Sequence, residues 1–246
     1  MSVRTARPQK TALIVARRIV ADIHQDGCKQ GDRLPSEKHM LGSYEVGRGT
    51  LRESLRYLEL SGAISLKPGP GGGPTVEKPD ASHLANSLGL LLQFEGAPFS
   101  SIVEVRESLE PLIASLAAQR IGADQLAELE ASVQLMRENL ADREVFLEAN
   151  QSFHDIIAWS SGNPLFGYLI DAIEGIFEGA ALGVDYPVHR RSAVLKAHSA
   201  IYVAIEAKDP AAALDSMREH ILELSRYLRK KYPEALEQAV TWDAMH

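Results

Sequence analysis

Cysteine is almost missing from this sequence. Cys28 is the only one in 246 residues, so no internal disulfide can form and a reducing compartment suits the chain. Long apolar runs are missing too. The most apolar stretch, Leu88 to Phe94, is far too short to span a bilayer. The basic opening Met1 to Lys10 lacks the apolar segment and cleavage site of a secretory leader, so a cytoplasmic protein with no membrane partner is expected. Neither H-E-x-x-H nor G-x-S-x-G occurs, which leaves the common hydrolase chemistries without their signature residues. No repeat of fixed period is present, and a Gly/Pro cluster over residues 68–74 is the sole low-complexity tract.

What is there is an ordinary globular composition, 45% hydrophobic and 24% charged, long enough for one large core or two modest ones. The net charge of -7 conceals an asymmetry. Residues 1–78 carry 13 Lys and Arg against 8 Asp and Glu, a net +5; the remainder carries 13 against 25, a net -12, and the two give -7. A basic segment attached to an acidic one points to a polyanion-binding module joined to something else.

In the basic segment, Leu13, Ala16, Ile19, Val20 and Ile23 recur at helical spacing and Gly27 stops the helix. Ser36 is placed as the N-cap of a short second helix reaching about Gly42, with Glu37 in its first turn. Gly47 opens a third from Arg48 to about Ser61. The alternating Ala63 to Lys67, the Gly/Pro tip and Thr75 to Glu77 then read as a two-stranded wing. Three short helices followed by a wing fit a winged helix-turn-helix.

On the third helix Leu51, Leu55 and Leu58 form one stripe, and Arg48, Arg52 and Arg56 fall on an adjoining face spanning roughly 80°. Guanidinium forks there suit major-groove reading, since Arg pairs bidentately with guanine or grips phosphate, and Thr50 adds a hydroxyl. The competing reading is a solvated face with Arg/Glu pairs through Glu53 and Glu59. The stretch Gly31-Asp32-Arg33-Leu34-Pro35-Ser36-Glu37, continued by Val46 to Leu55 and Leu58 to Gly62, resembles the GntR family of bacterial regulators over about residues 10–78. The resemblance implies that Lys38, Arg48, Thr50 and Arg52 contact operator DNA and that a wing glycine, Gly69, approaches the minor groove. Gly47 and Gly49 depart from the family's usual Ser or Thr.

Beyond Asp80 the pattern is helical throughout, with helices expected near 81–94, 100–121, 124–140, 143–160, 164–181, 190–207 and 210–230. Polar residues on their apolar faces are the informative ones, because burial without a partner is costly. Asn150 and His154 form an i,i+4 pair among Phe146, Phe153 and Ile157; His198 lies among Val194, Ile201 and Ile205; His220 borders Met217, Leu224 and Leu228. One oxygen and three nitrogens from three helices could converge on a metal ion, although each histidine taken singly is more often an ordinary core or boundary residue. Arg106, on the inward face with Ile102, Leu109 and Ile113, needs an anion, which Glu110 or another carboxylate could supply internally.

Asn150, Phe153-His154, His198 with Ile201, and Ala211 to His220 resemble the FCD ligand-binding domain of the FadR subfamily, over about residues 83–230. The resemblance implies a bundle of six or seven helices, a homodimer, and a divalent metal on an Asp or Asn plus three histidines, with zinc first and nickel or manganese as alternatives. It also implies that Arg106 and the metal hold the carboxylate of a small organic acid. Asn150 stands where Asp is usual, which removes one negative charge. The expectation is thus a mostly α chain: a winged helix-turn-helix over 1–78, a linker over 79–82, an all-α effector and dimerisation domain over 83–232, and a tail over 233–246. Its expected role is a non-enzymatic repressor on a palindromic operator, released by an organic acid. The alternatives are a metal-responsive regulator or a metal-dependent hydrolase using the three-histidine pocket.

Overall fold

The computed structural model describes residues 11–67, 69, 72–179 (side chains to 176) and 187–242. The opening Met1 to Lys10, most of the expected wing tip, residues 180–186 with the expected end of the 164–181 helix, and the last four residues lie outside the described residues. The chain divides into two compact units, at His83 and Leu84.

In the first unit, helices α1 (Thr11–Gln25), α2 (Glu37–Tyr44) and α3 (Arg48–Leu60) precede strands β1 (Ile64–Lys67) and β2 (Gly73–Val76). Leu51, Leu55 and Leu58 of α3 are buried against Val15, Ala16 and Ile19 of α1 and Met40 of α2. Each such fully buried side chain contributes about 1.5–3 kcal/mol. The expected stripe on α1 needs correction: Ala12 and Val15 are buried, whereas Val20 is exposed. The buried Ser54 hydroxyl lies 2.8 Å from the Ala12 and Thr50 carbonyls and ties α3 to α1. Ser36 caps α2, its hydroxyl accepting from the His39 amide, and Gly47 precedes α3 with no side-chain cap.

The wing is an antiparallel hairpin in which Ile64 faces Val76 and Lys67 faces Gly73, so β2 begins two residues earlier than the alternation predicted. The other edge of β2 is also in use. Arg33 bridges Thr75, and the Leu34 amide donates to the Pro74 carbonyl at 2.9 Å. The approach to α2 is therefore stitched to the base of the wing. Gly72 is required there, because a Cβ would lie 2.1 Å from the Lys67 carbonyl oxygen.

The second unit holds α4 (Ser82–Glu95, crossing the boundary), α5 (Ser100–Arg120), α6 (Ala123–Glu138), α7 (Arg143–Ser160), α8 (Pro164–Gly179), α9 (Val188–Glu206), α10 (Pro210–Lys231) and the short α11 (Pro233–Glu237). Helix α5 packs on α7, α8, α9 and α10. Its Ala114, Ala117 and Ala118, all buried, let those neighbours approach closely, and Phe146, Phe153, Ile201 and Ile221 fill the space around them. Asp142 and Asp209 cap α7 and α10 by accepting two backbone amides each. Gly167 of α8 lies so close to Trp159 of α7 that a Cβ would meet the indole at 2.5 Å, which seats α8 on α7.

Residues 233–240 of the region expected to be a tail are part of the fold. Leu236 and Val240 are buried, Val240 donates its amide to the Ala97 carbonyl at 2.9 Å, and Ala239 bridges Pro98. Pro233 at the start of α11 and the apolar positions behind it carry the sequence signal for this, too short for a periodicity to register.

Candidate functional site

Two sets of residues carry chemistry, one in each unit. On α3 the side chains of Arg48, Arg52 and Arg56 are exposed while the leucine stripe beside them is buried, so the helix presents one face inward and its guanidinium forks outward. Thr50 is half-buried, Lys38 is exposed on α2, and Gly69 is exposed with φ +93°. Among the described residues Arg48 and Arg56 form no ion pair; Arg52 has a loose one to Glu37, 3.7 Å apart with both side chains well exposed. Glu59, offered above as an intrahelical partner, instead accepts the Leu66 amide of the wing at 3.2 Å. Among the described residues neither Glu53 nor Glu59 forms an ion pair with these arginines, so the intrahelical pairs of the competing reading are not found.

In the second unit α7, α9 and α10 bring His154, His198 and His220 together, each buried, with their nitrogens within 4.8 Å of one another. His198 Nε2 and His220 Nε2 are 3.1 Å apart. The Phe153 ring stacks on His198 at 4.0 Å between centroids and fixes its plane. Burial, then the positive charge of neighbouring groups, pushes both imidazoles well below the usual histidine value, so each offers a lone pair at neutral pH. Their two Nδ1 atoms are buried without a partner. Paired nitrogens at this distance fit a divalent ion, since two ligands at about 2.0–2.1 Å in a tetrahedron stand about 3.3 Å apart. Asn150 lies one turn before His154 on α7 and is half-buried.

Arg106 is buried on α5, as its inward position predicted. Its Nε donates to Glu110 Oε1, and its Nη2 donates to Glu174 Oε1 on α8 at 3.1 Å. The internal carboxylate left open as an alternative is thus present twice over. Glu110 Oε2 meets His154 Nδ1 at 2.6 Å; with Nδ1 protonated, His154 keeps its Nε2 lone pair for the cluster. Burial alone would raise the Glu110 carboxyl, but attraction to Arg106 and His154 outweighs it and holds the group well below the usual carboxylate range. Glu110, His154 and Glu174 are also close enough to form a cation seat. The guanidinium between the two carboxylates occupies that role, and a second cation would face its charge. Two buried carboxylates thus engage one guanidinium beside the histidines.

Sequence reasoning missed Glu174, Arg190 and Arg191, all buried. Glu174 had a signal: an acid inside the apolar stretch Ile170 to Ile176 is out of place unless paired.

Comparison with known proteins gives these two sites their context. Residues 11–72 match the family described as bacterial regulatory proteins, gntR family, and residues 101–223 match the FCD domain. The chain belongs to the GntR family. Within that family it is 28% identical over 238 residues to the HTH-type transcriptional regulator YcbG of Bacillus subtilis, covering 97% of both chains. It is 25% identical over 201 residues to the HTH-type transcriptional repressor NanR of Klebsiella aerogenes, covering 80% of this chain and 76% of that one. A solved structure of a Streptococcus agalactiae GntR superposes with a TM-score of 0.69 at 30% identity, over 87% of this chain and 99% of that one. This GntR protein is a DNA-binding transcription regulator that couples a winged helix-turn-helix to an FCD domain. No described helix is long and apolar enough to cross a membrane.

Proposed function

We propose that this regulator is a cytoplasmic repressor of the FadR subfamily that binds a palindromic operator as a homodimer and is released by a small organic acid. Lys38, Arg48, Thr50 and Arg52 read or grip the operator, and Gly69 lets the wing backbone approach the minor groove. In the FCD domain, His154, His198 and His220 with Asn150 hold a divalent metal, zinc first. When bound, that ion supplies a Lewis-acidic charge for a carboxylate oxygen. The Glu110 carboxylate, whose Oε2 meets His154, supplies negative charge beside the cluster where Asn150 supplies none, and Arg106 orients the acid. The observation that carries the reading is the meeting of three buried imidazoles, two of them held neutral, beside a buried guanidinium in the acidic unit.

A second reading draws on one specific observation. Because Glu110 and Glu174 already engage Arg106, an organic anion must displace a carboxylate to reach it, and a regulator whose signal is the metal itself has no such obstacle. The relatives named above are regulators, which supports a non-enzymatic role over a hydrolase.

The test is selection of bound genomic fragments by the purified protein, then titration of the best fragment with organic acids and with zinc, separately and together. Acid-dependent release supports the first reading, and release by zinc alone supports the second. His198→Ala should lower zinc content and abolish release while sparing operator affinity. No sequence-specific fragment at any salt would overturn both readings.

A further inference from the structure

Arg190, in the first turn of α9, is an arginine that the DNA-reading face, the histidine cluster and the Arg106 network all leave unused. It is 4% exposed. Its Nη1 donates to both carboxylate oxygens of Glu223 on α10, and its Cζ lies 4.5 Å from the centre of the Tyr227 ring. The opposite edge of the same guanidinium, Nε and Nη2, is buried with no hydrogen-bond partner. Two desolvated donors on a cation are costly unless something accepts from them. A guanidinium edge of this kind matches the two oxygens of a carboxylate.

The local charge balance favours an anion. Arg191 is also buried; its Nη2 donates to the Ala141 carbonyl, its Nε is without a partner, and among the described residues no acid pairs with it. Among the described residues, two guanidinium groups therefore stand against the single carboxylate of Glu223.

The placement ties this edge to the histidine cluster. His198 of α9 faces His220 of α10, whereas Arg190, eight residues earlier, meets Glu223 and Tyr227, three and seven residues later, so the two helices run antiparallel. At 1.5 Å per residue, Arg190's partners lie about 5–11 Å along α10 from His220.

We propose that the Nε–Nη2 edge of Arg190 is a second anion seat in the FCD domain, and that the effector is a dicarboxylate with one acid group here and the other toward the histidines. The proposal rests on the effector reading above and narrows its ligand class.

The test uses full-length, zinc-loaded protein and calorimetric titration with straight-chain dicarboxylates and monocarboxylates matched in length. At least one dicarboxylate should bind about 10-fold or more tighter than its monocarboxylate match, as a bidentate charged contact requires. Arg190→Lys keeps a cation for Glu223 but removes the side-on edge. It should erase that preference while leaving zinc content and operator affinity unchanged. Nitrogen-15 arginine spectra of the unsubstituted protein give a readout independent of any variant: the Arg190 Nε–H signal should shift on saturation with the preferred dicarboxylate.

No dicarboxylate preference, a preference surviving Arg190→Lys, or an unmoved Nε–H signal overturns the seat. Dicarboxylate binding that depends on Arg190 yet leaves the operator complex intact keeps the seat and removes the effector reading. Operator release by an acid equally in both proteins does the reverse.

Discussion

In the first unit Arg48, Arg52 and Arg56 stand exposed along α3, whereas in the second Arg106, Arg190 and Arg191 are buried on α5 and α9. The residue type is the same and the physics is opposite. An exposed guanidinium keeps its hydration, gains little from a surface acid, and remains available to a polyanion that arrives with its own charge. A buried one has lost its water and relies on acceptors inside the fold, as Arg106 does on Glu110 and Glu174, Arg190 on Glu223 and Arg191 on the Ala141 carbonyl, so its charge is bound up with the packing. One unit keeps its cations free for an outside partner. The other sets them into its interior, where a small anion can act on the packing itself.

The contrast is broken most severely at Glu110. Glu110→Ala takes one carboxylate from Arg106 and removes the acceptor from His154, and losing one partner of a buried ion pair costs about 3–5 kcal/mol. Both tryptophans, Trp159 and Trp242, belong to the second unit, so urea unfolding followed by their fluorescence reads that unit alone. A loss below about 1 kcal/mol, the range of exposed pairs, would show that burial does not distinguish these arginines.

Arg52→Ala should act on the other side of the comparison. It should cost about 1–3 kcal/mol of specific operator binding, with unfolding unchanged within about 0.5 kcal/mol. Unchanged affinity at fixed salt would remove Arg52 from the reading face.

Acid should sharpen the difference. His198 and His220 titrate well below the ordinary 6.5 and Glu110 well below the ordinary 4.5, so in each case the unfolded chain binds the proton more tightly. Their contribution to stability is present above those ordinary values and is lost as pH falls through them toward the folded values. In metal-free protein the tryptophan-detected melting temperature should therefore begin to fall near pH 6.5 and fall further below pH 4.5. A melting temperature constant from pH 7 to 4 would contradict this. The smallest effect belongs to Glu37→Gln: its exposed, 3.7 Å pair with Arg52 should change the stability of the first unit by less than about 0.5 kcal/mol, read by urea unfolding followed by far-ultraviolet circular dichroism.

Much of this was legible beforehand. The leucine stripe on α3 and the apolar faces of α7, α9 and α10 are set by spacing, and the structure buries them as that spacing required. On α1 the period was right but its centre was displaced, because periodicity fixes how wide a stripe is and its neighbours decide which residue lies at the middle. The histidines stood out because a polar ring on an apolar face is anomalous in one dimension. Glu174, Arg190 and Arg191 did not, since a charged residue is ordinarily read as surface and only contact with a distant helix reveals otherwise. Ser54 carries the same lesson in small: a serine among leucines is unremarkable until the Ala12 carbonyl is found within reach.

Glu110 gives one oxygen to Arg106 and the other to His154. A single carboxyl group thus acts as a balance beam between a guanidinium and an imidazole on different helices. Thermodynamic reciprocity then applies to its two ends: whatever loosens or tightens the hold on one oxygen returns the same free energy at the other. Any two ligands that act on its opposite ends read each other's presence in equal measure and in both directions.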